Sequence, residues 1–224
     1  MIAVVVIAVL AVVALAPQWW VKRQMKAHSD ERADFPGTGA ELARHLVERF
    51  ELPVQVEMTD RGDHYDPDER MVRLSPDTFH GRSLTAVAVA AHEIGHAIQH
   101  ARDERGLRLR QGLAKFAQVT DKFASIFFLA SPVLGLLFRT PAAFLVFAGL
   151  GICFLAIRVV VHLVTLPVEY DASFGKALPI LEDGYVAPED ADAARSVLKA
   201  AAFTYVAAAC MSLVDLARWI RILR

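Results

Sequence analysis

The chain has 224 residues, 55% of them hydrophobic and 22% charged, with 24 basic against 25 acidic side chains and a mean hydropathy of +0.36. Ordinary soluble domains average about 45–50% apolar residues, so this surplus excludes a disordered chain, and the formal net charge of -1 excludes a basic nucleic-acid-binding surface. No charge lies in residues 1–21 and only Arg139 lies in 123–157, so a polar module is set between apolar blocks and a wholly water-soluble globule is disfavoured.

The first block, Met1 to Trp20, is long enough to cross a hydrocarbon core and ends in the Trp19–Trp20 pair followed by Lys22, Arg23 and Lys26. Ala14-Leu15-Ala16 resembles a signal-peptidase site, but the segment lacks a basic n-region and Pro17 would follow the cut. An uncleaved anchor, residues 1–21, with its N-terminus outside and the following chain inside is therefore expected. Residues 22–122 read as a cytoplasmic module. Thr38-Gly39-Ala40-Glu41 opens an amphipathic helix through Leu42, Ala43, Leu46, Val47 and Phe50. Val54 to Met58 alternates like a half-buried strand, Gly62 to Pro67 reads as a turn, and Met71 to Leu74 as a second strand. Ser83 then offers the N-cap of a long helix to about Gln99. Arg102 to Lys122 carries an excess of basic residues suited to an anionic inner leaflet, or to a solvated helix face.

Phe123 to Phe138 and Pro141 to about Ile157 are two further apolar blocks, joined at Arg139-Thr140-Pro141 by an expected tight turn. Residues 123–162 thus form a candidate transmembrane hairpin, with Lys122 and Arg158 marking its cytoplasmic ends and Arg158 snorkelling to the interface. Residues 163–224 hold a polar segment and another apolar stretch, Ala200 to Leu216, which either spans or packs from within. Its basic tail, Arg218, Arg221 and Arg224, would fall outside under an even number of spans, against the positive-inside rule. Cys153 and Cys210 lie inside apolar stretches and suit packing better than a disulfide framework.

The long helix contains His92-Glu93-Ile94-Gly95-His96, an H-E-x-x-H motif. Residues four apart share one helical face, so His92 and His96 can turn imidazole nitrogens on one Zn²⁺, while Glu93 stands beside the metal as a general base for water. A satisfied polar core is the bland alternative, but two His and a Glu on a face of Ala, Val and Ile are costly without a partner. Gly95 leaves room for another backbone to approach. His100 lies about 12 Å along the helix from His92, too far to share the ion, and is expected at the surface or supporting a ligand. A third ligand is needed. Glu169 and Asp171 follow the third apolar block on the expected cytoplasmic side. Glu169 can complete a His₂Glu set and Asp171 can orient a ligand histidine, but the same pair could simply begin a solvated helix. His162 is a rival third ligand, ranked below Glu169.

Taken together, several ordered stretches resemble the YugP-type neutral zinc metallopeptidases, small bacterial membrane proteins. They are Asp63-His64-Tyr65-Asp66-Pro67, Val72-Arg73-Leu74-Ser75, Ala90 to His100, Thr165 to Ser173, and Ala200-Ala201 with Phe203 to Val206. The resemblance covers the chain from about Thr38 onward. It implies a mainly α, multi-pass membrane protein carrying a small α+β zincin-like metallopeptidase module, with His92, His96 and Glu169 as zinc ligands and Glu93 as base. More distantly, HtpX-like membrane proteases place a supporting Asp four residues after the ligand Glu; here that position is Ser173 and the acid is Asp171.

Peptide hydrolysis also needs a donor for the tetrahedral oxyanion. His64, Tyr65 and Tyr205 are candidates, each with a purely structural alternative, and spacing does not choose among them. The expected activity is a zinc-dependent endopeptidase in the bacterial cell membrane, its active site facing the cytoplasm. Peptides or membrane-protein segments would be its substrates. A non-catalytic, zinc-stabilised membrane scaffold or adaptor is the alternative.

Overall fold

The computed structural model describes residues 2–138 and 141–222, and 76% of the chain is helical with one three-stranded sheet. Arg139 and Thr140, the centre of the expected turn, lie outside the described residues. The chain divides into two compact units: Trp19–Arg108 with Leu166–Thr204, and Met1–Gln18 with Leu109–Thr165 and Tyr205–Arg224.

The first unit holds the polar module. Helix α1 (Ile2–Ala27) enters it with its last turns, and α2 (Gly39–Arg49) opens on a full capping box. The Thr38 hydroxyl accepts from the Glu41 amide while the Glu41 carboxylate accepts from the Thr38 amide. Three strands follow, β1 (Gln55–Met58), β2 (His64–Asp66) and β3 (Met71–Leu74), in the order β1-β3-β2. β1 runs parallel to β3 and β2 antiparallel to it, with Tyr65 opposite Val72. The segment read from sequence as a turn therefore contributes a strand of its own. Its Gly, Asp and Pro residues signal the bends at either end and mask the three residues between them. Arg73 ties the sheet together by reaching Glu57, Asp66 and Glu69 at once.

A short helix α3 (Pro76–His80) leads into α4 (Leu84–Ala101), where the Ser83 hydroxyl accepts from the Ala86 amide. Every described α4 side chain from Ala86 to Gln99 is buried, as expected of a helix covered on all sides. α2 packs on it, and so does a π-helical turn, Asp171–Ala177, that follows α6 (Pro141–Tyr170) and runs into α7 (Leu178–Glu182). Leu46, Leu74, Ile94, Leu181 and Leu198 are fully buried in this core.

The second unit is built from stretches of α1, α5 (Arg105–Phe138), α6 and α8 (Ala191–Ile222). α5 runs unbroken through the basic segment and the second apolar block, and through Pro132. Phe127 stacks on Phe154 of α6 with ring centroids 5.6 Å apart. Two helical stretches, Phe144–Glu182 and Pro188–Val214, are long and apolar enough to cross a membrane, by length and composition. Cys153 is exposed and Cys210 half-buried, so Cys153 lies on an outward helix face rather than in a core.

Candidate metal centre

The site lies wholly within the first unit. α4 presents His92 and His96 one turn apart, their ring centroids 4.8 Å from each other. Glu169, in the last turn of α6, reaches both: its Oε2 is 3.3 Å from Nε2 of His92 and 3.3 Å from Nε2 of His96. One ligand atom from each residue falls within 4.8 Å of the other two, and Glu169 is 1% exposed. Two imidazole nitrogens and one carboxylate oxygen converging in a buried cluster are a donor set that suits a three-ligand zinc site. The residues fit the ion.

Backbone proximity makes this convergence possible. A Cβ on Gly95 would stand 2.7 Å from the carbonyl oxygen of Ala172, so glycine lets α4 lie directly against the π-helical turn. The same turn carries Ser173, whose Oγ is 2.9 Å from Nδ1 of His92 and 3.0 Å from the Leu198 carbonyl. On the other side, Gln99 Oε1 is 2.9 Å from Nδ1 of His96. Gln99 Nε2 reaches the Val168 carbonyl at 3.0 Å and Asp171 Oδ2 at 2.8 Å. Lys176 Nζ stands 2.6 Å from Asp171 Oδ2 and 3.1 Å from Glu104 Oε1. Asp171 is thus linked to a site histidine through Gln99 rather than directly.

Glu93, 7% exposed, sits one step round α4 from His92. Among the described residues none makes a hydrogen bond or ion pair with it.

The other candidates are distributed differently. His64 bonds its own turn, Nδ1 lying 2.8 Å from the Gly62 carbonyl. The Tyr65 hydroxyl lies 2.7 Å from Nδ1 of His100, which places His100 between α4 and β2, and burial pushes the Tyr65 phenol up to about 12. A phenol so raised stays a proton donor through the neutral range. Tyr205 belongs to the second unit, where Arg110 donates to its hydroxyl and His162 packs edge-on against its ring. Ser173 and Gln99 were not singled out as histidine partners from sequence. The available signals were their spacings, four residues after Glu169 and three after His96, which put each on the relevant helical face.

Comparisons with known proteins bear on the family of the chain. A family model described as "Putative neutral zinc metallopeptidase" matches residues 3–224. The chain is 36% identical over 220 residues to the "Putative membrane protease YugP" of Bacillus subtilis (strain 168), covering 95% of this chain and 94% of that protein. No solved structure matches the chain. From the length of the family match and this identity, the chain belongs to the family described as "Putative neutral zinc metallopeptidase".

Proposed function

We propose that this protein is a membrane-embedded zinc endopeptidase in which His92, His96 and Glu169 hold the ion and Glu93 is the general base. The observation that carries the reading is the meeting of Glu169 Oε2 with both Nε2 atoms, brought together from positions more than seventy residues apart in the chain. Zinc, when bound, supplies a Lewis acid that lowers the pKa of water and polarises a carbonyl. Glu93 takes the proton of the attacking water and delivers it to the departing amine, so one carboxylate serves as base and then as acid. The buried walls of α4 and the π-helical turn exclude bulk water and strengthen the local electrostatics.

Membrane association draws on the two long apolar helical stretches and on the name of the Bacillus relative. Lys22, Arg23 and Lys26 after the first block favour a site facing the cytoplasm, reached by a multi-pass chain in the bacterial cell membrane. Peptides or segments of membrane proteins are the substrates that this placement favours.

The test is Glu93→Gln in the full-length protein in detergent or liposomes. Peptide cleavage should fall about 10²- to 10⁴-fold, the usual share of a general base, with zinc content unchanged. A variant with full proteolytic activity removes Glu93 from its role. Wild-type protein that holds zinc and cleaves nothing would favour the zinc-stabilised scaffold.

A further inference from the structure

The hydrogen bonds behind the two histidines can be assigned a direction, because each ends on a group that can only accept. Gln99 Nε2 lies between the Val168 carbonyl and Asp171 Oδ2, two acceptors at 3.0 and 2.8 Å. Both amide protons go to them, and the reversed amide would set three oxygens against one another. Oε1 of Gln99 therefore faces His96, and Nδ1 of His96 must carry the proton that joins them. Lys176, held between Asp171 and Glu104, keeps the Asp171 carboxylate in place as the acceptor.

His92 is fixed by a different device. The Ser173 hydroxyl has one proton, and the Leu198 carbonyl at 3.0 Å takes it. Its oxygen is left to accept from Nδ1 of His92 at 2.9 Å. A carboxylate at position 173 could accept from the histidine but would have nothing to donate to Leu198, leaving two oxygens in repulsion. A hydroxyl does both.

We propose that Gln99 and Ser173 are positioning residues that hold the proton of His96 and of His92 on Nδ1, so that both Nε2 atoms are left for the ion they would share with Glu169. Asp171 and Lys176 act on His96 only by holding Gln99. The proposal deepens the zinc peptidase reading and rests on it: the protein's own donors and acceptors put a proton on each Nδ1, while a bare Nε2 needs the ion, because Glu169 Oε2 at 3.3 Å would otherwise accept from it.

The experiment uses the full chain as purified in detergent, with zinc content measured and histidine ¹⁵N signals recorded near pH 8. Wild type should show Nδ1–H for both histidines. Gln99→Met should disturb the His96 signals alone, and Ser173→Ala those of His92 alone. Each variant should weaken zinc binding about 10- to 100-fold, the usual effect of removing a partner behind a metal-ligating histidine, read by competition with a chelator. An Nδ1 without its proton at either histidine in wild type overturns the proposal without recourse to a variant. So do zinc affinities in both variants within twofold of wild type. If both Nδ1 atoms carry protons but wild type binds no zinc, the peptidase reading falls and the positioning roles stand.

Discussion

Leucine has opposite surroundings in the two units. Around the site Leu46, Leu74, Leu181 and Leu198 are fully buried, whereas in the other unit Leu129 is 78% and Leu136 81% exposed. Burying a leucine from water stabilises a fold by about 1.5–3 kcal/mol. In lipid that gain is absent, and helices associate through close packing and interhelical polar contacts. Under the membrane placement proposed above, one sequence serves two solvents, and its exposed leucines fall where water is not expected.

The strongest way to break this comparison is a pair of substitutions. Leu46→Ala should destabilise the site-bearing unit by about 2–5 kcal/mol, read by denaturant unfolding. Leu129→Arg should cost about 2.5–3.5 kcal/mol in a membrane-insertion assay if the position meets lipid. At a water-facing position it would be neutral to about 0.5 kcal/mol. Gly95→Ala comes next. The new methyl meets the Ala172 carbonyl, so α4 and the π-helical turn must part, at about 1–3 kcal/mol of stability, with zinc affinity falling alongside. Ser83→Ala removes the α4 N-cap bond and should lower thermal stability by about 1 kcal/mol with zinc affinity unchanged.

The smallest effect concerns pH. Burial alone would raise the Asp66 carboxyl, but bonds from the Glu69 amide, Arg73 and the Asp68 amide overcome it and hold the group below its usual range. A depressed folded pKa contributes stability that is present above the unfolded value and lost as pH falls through the folded one. Unfolding midpoints should therefore drop in acid below the ordinary carboxylate range, and Asp66→Asn should flatten that part of the pH profile.

Local chemistry was readable where partners are neighbours in sequence. Thr38 with Glu41, and Ser83 with Ala86, mark helix starts within three residues, and His92 and His96 share a face through helical spacing alone. Glu169 was harder. Spacing offered no reason to prefer it to the opening of a solvated helix, and the family resemblance supplied one. The π-helical turn left no trace: no residue from Asp171 to Ala177 sets it apart from ordinary helix, and the glycine that lets α4 approach Ala172 lies far away in sequence. β2 was hidden for a related reason: three residues between bends are too short for alternation to register, and β3 supplies their pairing.

That π-helical turn makes chain length itself a constraint. A wide turn holds one residue more than a regular helix needs, and its loss would let the segment close into ordinary α-helix. Local hydrogen bonding would then improve, while every later residue rotated by about 100°. Leu178 and Leu181, now buried, would swing out of the core together. Single-residue insertions and deletions between Asp171 and Leu178 should therefore be more damaging than most exchanges of one side chain for another in the same stretch. Related chains that keep the centre should vary in composition across this stretch before they vary in length.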